Sequence, residues 1–302
     1  GTCVAEMRAL NQPTRMDVRV ALSRVSRDKA KKTLAKGGST TYVKPLSPLG
    51  LRLEAHTDIA RTTAFRKGFV EVQDEGSQIL SLLVGAKAKM RVLDYCAGAG
   101  GKTLAIADRM GLTDGESAST LVATDIEAAR LERMDKRLGR AKLTDKIERR
   151  VLGADDSWAS DNAASFDRVL VDAPCTGAGT WRRHPEQKKR LTEERLAELT
   201  ATQDQVLQSA AALVKPGGRL IYATCSLLAE ENEQRVEAFL KSHPDFEVAP
   251  IAQVWAETLK SVDFPIEIDE AHEPPQFLRL TPHQHGTDGF FVAVMVRSSS
   301  DA

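Results

Sequence analysis

Two cysteines, Cys175 and Cys225, each stand just past an apolar run. Val169-Leu170-Val171 leads into Asp172-Ala173-Pro174-Cys175, and Leu220-Ile221-Tyr222 leads into Ala223-Thr224-Cys225-Ser226. Short apolar runs bounded by turn residues predict strands, so both thiols emerge at strand carboxyl ends. In an open α/β sheet that edge carries ligands and chemistry. A single cysteine is most often a small buried apolar residue; two at matching strand ends, with a carboxylate three residues before one of them, suit nucleophilic catalysis. A thiolate that adds to carbon 6 of a pyrimidine pushes electron density onto carbon 5, which can then accept an electrophilic methyl group. A base must afterwards remove the carbon 5 proton so that the thiol can leave. Asp172, if it holds a proton, can stabilise the adduct at the pyrimidine N3. On this reading Cys175, Cys225 and Asp172 are the catalytic candidates, and either thiol can be the one that attacks.

Such chemistry needs a methyl donor, and one turn is built to hold it. Asp94-Tyr95-Cys96-Ala97-Gly98-Ala99-Gly100-Gly101-Lys102-Thr103 follows a predicted strand and opens a predicted helix. Its glycines let the backbone approach a ligand, and the helix start offers unpaired N–H groups. A triphosphate loop of the GxxxxGK[ST] type would need glycine where Cys96 stands, and a dinucleotide fingerprint GxGxxG would need it where Thr103 stands. S-adenosylmethionine fits better, because acids recur at successive strand ends: Asp94, Asp125, Asp155 and Asp172. Asp125 can accept hydrogen bonds from ribose hydroxyls, Asp155 can face the adenine edge, and Lys102 can pair with the methionine carboxylate or stand solvated. The cofactor set is therefore Cys96, Ala97, Gly98, Ala99, Gly100, Gly101, Lys102, Asp125, Asp155 and Asp172.

The elements that must position these groups alternate. Strands are predicted at 90–95, 120–125, 147–152, 168–172, 218–223 and 290–296, with helices over 102–110, 127–140, 192–214 and 229–242. Repeated βα units with apolar strands mean a mostly parallel sheet covered on both faces. The late run Phe290–Val296 is expected as an edge or antiparallel strand. Upstream, residues 17–70 predict a small mixed unit: a strand at Asp17–Val20, a helix from Ser26 to Lys36 capped by Ser26, and extended segments from Thr41 to Leu53. Asp74 or Ser77 is expected to cap a helix over Ile79–Val84. The predicted class is α/β, a Rossmann-like, doubly wound, mostly parallel seven-stranded sheet (71–302) with a small basic N-terminal α+β module (1–70).

Taken together, Asp94-x-Cys96-Ala97-x-x-Gly100-Gly101-Lys102-Thr103, Asp172-Ala173-Pro174-Cys175-Thr176-Gly177, Thr224-Cys225-Ser226 with Glu230-Glu231-Asn232-Glu233, and Thr287-Asp288-Gly289-Phe290-Phe291 resemble the Sun/RsmB family of RNA cytosine-5 methyltransferases, in matching order over about residues 17–297. The resemblance implies that Cys225 is the nucleophile and Cys175 assists release. It further implies that Asp125 and Asp155 hold the cofactor nucleoside, that Lys102 lies near its methionine part, that Asp172 contacts the target base, and that the N-terminal unit corresponds to a small RNA-recognition-like module. A fuller N-terminal extension present in some relatives, similar to an antitermination factor, is not matched.

The formal net charge of zero conceals a polar molecule. Residues 1–70 carry 14 Lys+Arg against 5 Asp+Glu, whereas residues 230–273 carry 3 against 12. The basic segment suits phosphate contacts. So does Thr180-Trp181-Arg182-Arg183-His184-Pro185 beside Cys175, where Arg182, Arg183 and His184, together with Lys102, are the RNA-binding candidates. Four cysteines without CxxC spacing, and no His cluster, argue against a metal, and no apolar run reaches the roughly 20 residues of a membrane span. The expected protein is a cytoplasmic monomer acting on RNA, most simply ribosomal RNA. The alternatives are tRNA as substrate, or a ribosome-assembly factor with weak or lost catalysis.

Overall fold

In the computed structural model, which describes residues 2–55, 57–114, 118–153, 157–266 and 275–299, the chain begins with helix α1 (Thr2–Ala9). It folds as two units: residues 15–154 with 259–263, and residues 1–14, 155–258 and 264–302.

Alternating apolar positions build the first layer of the unit that starts at residue 15. Strand β1 (Asp17–Val20), helix α2 (Arg27–Lys36), strands β2 (Thr41–Val43) and β3 (Gly50–Leu53), helix α3 (Thr63–Arg66) and strand β4 (Val70–Val72) give an antiparallel sheet in the order β2-β3-β1-β4. Ser26 caps α2 by accepting from the Lys29 N–H at 3.3 Å, as expected from sequence. Ala30 and Leu34, four residues apart on α2, are buried against Val18, Val20, Leu51 and Leu53, and each fully buried valine or leucine side chain here contributes about 1.5–3 kcal/mol. Asp17 and Arg52 are direct cross-strand partners. The guanidinium grips the buried carboxylate in a fork at 2.5 and 2.6 Å. Burial works against the Arg52 charge, but the hydrogen bond and charge of Asp17 outweigh it and hold the pKa above its ordinary value.

Asp74, not Ser77, caps helix α4 (Glu75–Leu83), accepting from Gly76 N–H at 2.8 Å. Strand β5 (Arg91–Asp94), helix α5 (Gly101–Arg109), strand β6 (Thr120–Asp125), helices α6 (Ala128–Glu132) and α7 (Asp135–Ala141) and strand β7 (Glu148–Val151) follow. Strands β5, β6 and β7 pair in parallel. The single helix expected over 127–140 is broken near Met134, which is fully buried and packs on Gly100. Propensity favours continuity there; tertiary packing overrides it. Within this unit the small sheet is tied to the βα layer. Asp108 on α5 accepts the backbone N–H groups of Leu22 and Ser23 at 3.0 and 3.1 Å, and Glu71 on β4 pairs with Arg137 at 3.2 Å and Arg140 at 2.8 Å.

The other unit runs α8 (Trp158–Asp161), β8 (Phe166–Asp172), α9 (Glu193–Ala211), β9 (Val214–Thr224), α10 (Glu233–Ser242), β10 (Phe246–Val248), α11 (Ile251–Thr258), β11 (Leu278–Leu280), α12 (Pro282–His285) and β12 (Phe290–Arg297). β8 and β9 pair in parallel around the crossover helix α9, and β12 is antiparallel to β9. β12 is not an edge strand: β10 and β11 both pair with its far side. Six successive buried residues from Phe290 to Met295 reflect that interior place. The class expected from sequence, an α/β Rossmann-like fold with mostly parallel strands and a small α+β layer, is the one observed.

Removing one partner of a buried ion pair leaves the other charge stranded. Asp17→Ala is expected to cost about 3 kcal/mol, read as a lower urea midpoint; a loss below about 1 kcal/mol would place Arg52 in effective contact with water.

Candidate active site

Register decides where the thiols fall. Asp172 on β8 lies opposite Ala223 on β9, so Cys175 and Cys225 leave adjacent parallel strands at the same end. Their sulfurs are 3.4 Å apart, and both residues are half-buried. Gly179 N–H donates to Cys225 O at 2.9 Å, and Gly289 N–H to Gly179 O at 2.8 Å. A Cβ at Gly179 would lie 2.4 Å from Gly289 O, so only glycine permits this approach.

Behind the thiols lies a buried polar network. The Glu231 carboxylate, wholly shielded from solvent, accepts Thr176 N–H at 2.8 Å, Thr176 Oγ1–H at 2.5 Å and Gln203 Nε2–H at 3.0 Å. Gln203, on α9, also donates to Pro174 O at 2.9 Å. Asn232 accepts from Thr224 Oγ1–H at 2.5 Å and donates to Ser226 O at 3.1 Å. Tyr222 O–H donates to Glu231 O at 2.6 Å. The hydrogen bond with Cys225, burial and the nearby charges of Cys225 and Glu231 together push the Cys175 thiol well above the ordinary cysteine value. Burial, then Cys175 and Glu231, raise the Tyr222 hydroxyl likewise.

The basic loop after Cys175 is partly committed to the protein. Arg182 and Arg183 both donate to the buried Asp288 carboxylate at 2.5 Å; the Arg182 side chain is only 7% exposed and that of Arg183 28%. His184 is exposed beside Glu186, 3.5 Å away. Lys188 donates to Asn11 and lies 5.7 Å from the Trp181 ring centroid.

In the unit that starts at residue 15, the glycine turn links β5 to α5. Gly98 and Gly100 adopt positive φ, +52° and +78°. Gly100 has no choice, because a Cβ would meet Met134 at 2.4 Å. Thr103 O–H donates to the buried Asp94 carboxylate at 2.6 Å, and Thr124 O–H donates to Tyr95 O at 2.7 Å. Asp125 ends β6 and accepts Gly98 N–H and Glu127 N–H, each at 3.0 Å. Arg137 donates to Ala99 O at 3.0 Å. A Cβ on Gly98 would meet, among the described residues, only the Asp125 carboxylate, at 4.0 Å. That clear space beside a carboxylate, with Ile126 75% exposed next to it, fits a nucleoside: the acid for ribose hydroxyls and the isoleucine for a base face. Cys96, Ala97, Ala99, Gly101 and Lys102 are half-buried in the turn or the first turn of α5. Asp155 lies outside the described residues.

Asp172, Cys175 and Cys225 are thus brought together in one unit, and the residues of the glycine turn and Asp125 in the other. Composition alone did not single out Glu231, Gln203, Asn232 or Ile126. Glu231 and Asn232 stood in the sequence only as part of the motif after Cys225, without a role, and Ile126 could have been noticed as an apolar residue directly after a strand-end acid. Among the described residues no group of three His, Cys, Asp or Glu side chains could hold a metal ion, and no helix is long and apolar enough to cross a membrane.

The fold is that of the α/β methyltransferases. The structure of NSun6 from Pyrococcus horikoshii with SFG shares it at a TM-score of 0.81 and 18% identity, over 99% of this chain and 95% of that one. The crystal structure of PH0851 superposes with a TM-score of 0.84 at 30% identity, over 96% of this chain and 61% of that one. The profile of the 16S rRNA methyltransferase RsmB/F family matches residues 81–296, and the chain belongs to that family. It is 32% identical over 289 residues to ribosomal RNA small subunit methyltransferase B of Erwinia tasmaniensis and 34% identical over 241 residues to that of Cronobacter sakazakii. These matches take in 96% and 80% of this chain but only 61% and 54% of those proteins.

A thiol held above its ordinary pKa carries less thiolate at pH 8 and alkylates slowly. With exposed Cys3 as internal reference, iodoacetamide should label Cys175 at least about tenfold more slowly at pH 8, with the Cys175 rate still rising beyond pH 9. Equal labelling of the two at pH 8 would contradict the raised value.

Proposed function

We propose that this chain transfers a methyl group from S-adenosylmethionine to carbon 5 of cytidine in RNA, with ribosomal RNA as the substrate. The observation that carries the reading is the thiol pair, 3.4 Å apart at the ends of two adjacent parallel strands. Membership of the RsmB/F family and the names of its relatives support the RNA substrate. Residues 1–70 serve as a basic module that meets RNA phosphates, and residues 71–302 as the catalytic part.

Asp125, the glycine turn and Ile126 would hold the cofactor nucleoside, with Lys102 near its methionine part; a role for Asp155 in holding the nucleoside rests on the sequence resemblance. When bound, the cofactor supplies an electrophilic methyl group. Cys225, as thiolate, adds to carbon 6 of the flipped-out cytosine, and the displaced electron pair makes carbon 5 nucleophilic. Asp172 steadies the adduct through a hydrogen bond at N3. Once carbon 5 bears the methyl group, Cys175, having first given its own proton to solvent, takes the carbon 5 proton as thiolate, the carbon 5–carbon 6 double bond re-forms and the Cys225 sulfur leaves as thiolate.

Unmodified small-subunit ribosomal RNA incubated with radiolabelled S-adenosylmethionine should acquire 5-methylcytosine, with tRNA as the comparison substrate. Cys225→Ala should abolish label transfer by at least about a thousandfold, whereas Cys175→Ala should accumulate a protein–RNA complex that survives a denaturing gel. A complex trapped by Cys225→Ala instead would reverse the two roles, and label found in protein alone would sink the RNA reading.

A further inference from the structure

Two consecutive residues each grip a different cysteine loop, and the loops meet through a Thr176 Oγ1···Ser226 Oγ contact at 3.4 Å and through Gly179 N–H on Cys225 O at 2.9 Å. The Glu231 side chain holds the loop of Cys175: it takes both the N–H and the hydroxyl of Thr176, while Gln203 bridges it to Pro174 O. The Asn232 side chain holds the loop of Cys225 from both flanks, through the Thr224 hydroxyl and Ser226 O. Both side chains are fully buried, and neither hydrogen-bonds a cysteine sulfur. Their backbone is pinned in turn by Tyr222 O–H on Glu231 O and by Asn232 N–H on Ala229 O at 3.1 Å. One short stretch ahead of α10 therefore sets the position of each sulfur through a different set of hydrogen bonds.

We infer that Glu231 and Asn232 are positioning residues with divided labour, Glu231 serving the release step through Cys175 and Asn232 serving the attack step through Cys225. The inference rests on the proposed cytosine-5 reaction. Sequence neighbours in one buried network would ordinarily fail together; here each side chain holds its own loop through hydrogen bonds of 2.5 to 3.1 Å, against a longer 3.4 Å side-chain contact between the loops, so opposite failures are expected. Loosening Cys175 leaves attack intact and stalls elimination, so a covalent complex builds up. Loosening Cys225 slows attack, so no complex builds up. Glutamine at 231 keeps an oxygen for the two N–H donors and offers its amide N–H to the Thr176 hydroxyl oxygen, so it can reproduce the three contacts without the charge.

The test measures, on one RNA substrate, turnover and the covalent fraction on denaturing gels. Glu231→Ala, and as a milder isosteric change Gln203→Met, are expected to slow turnover about tenfold or more while the covalent fraction rises several-fold, as in Cys175→Ala. Glu231→Gln is expected to restore most of the release rate. Asn232→Ala and Thr224→Val, each placed in the Cys175→Ala background, are expected to slow formation of the complex about tenfold. Parallel losses of attack and release at 231 and 232, or Glu231→Ala without a rise in complex, would overturn the division of labour. Cys175→Ala alone giving no complex would instead overturn the reaction on which it rests, and it shows this without any clamp variant.

Discussion

The register of β8 against β9 is the constraint on which the site depends. Asp172 opposite Ala223 leaves three residues to Cys175 on one strand and two to Cys225 on the other, and the sulfurs end 3.4 Å apart. A one-residue slip would turn every side chain of a strand to the opposite face of the sheet. Burial of Val169–Val171 and Leu220–Ala223 makes such a slip expensive. The loops beyond the strands have no ladder to hold them, and there the Glu231 carboxylate, Gln203 and Asn232 take over. A buried carboxylate is tolerable because three donors satisfy it.

The same logic recurs in the unit that starts at residue 15, where the glycine turn is held by groups distant in sequence. Glu71 at the edge of the small sheet pairs with Arg137, and Arg137 donates to Ala99 O. Gln73, which accepts from buried Arg19, donates to Gly101 O at 3.3 Å. The small sheet is therefore more than a basic appendage. Glu71 on β4 braces the α7 guanidinium that donates to Ala99 O, and Gln73, just past β4, donates to Gly101 O, so the small sheet and the glycine turn share one hydrogen-bonded frame.

Much of this was legible in the chain because it rests on local or periodic signals. Apolar runs located most of the long strands within a residue or two, although β9 starts four residues earlier than expected and the short β4, β10 and β11 were not foreseen; Ser26 and the choice of Asp74 or Ser77 announced helix starts, and the two strand-end cysteines fall side by side. What escaped depends on contacts between distant residues. The helix break near Met134 follows from burial against Gly100, about 34 residues away, which no helix propensity records. Arg182 and Arg183 read as phosphate grips because they sit in a basic loop; their pairing with Asp288 spans more than a hundred residues. Glu231 and Asn232 were visible as part of a motif, but a buried hydrogen-bond network has no period, and its partners emerge only when β8, β9 and α9 are packed together.

The central claim is that the two thiols are unequal and that Cys225 bonds to the pyrimidine. Fluorine at carbon 5 cannot leave as a proton does, so 5-fluorocytidine-substituted RNA should hold the unaltered enzyme in a covalent complex once a methyl group has been added. Protease digestion and mass spectrometry of that complex should place the modified nucleotide on the peptide carrying Cys225. The same nucleotide found on the peptide carrying Cys175, or no covalent complex despite methyl transfer to unsubstituted RNA, would contradict it.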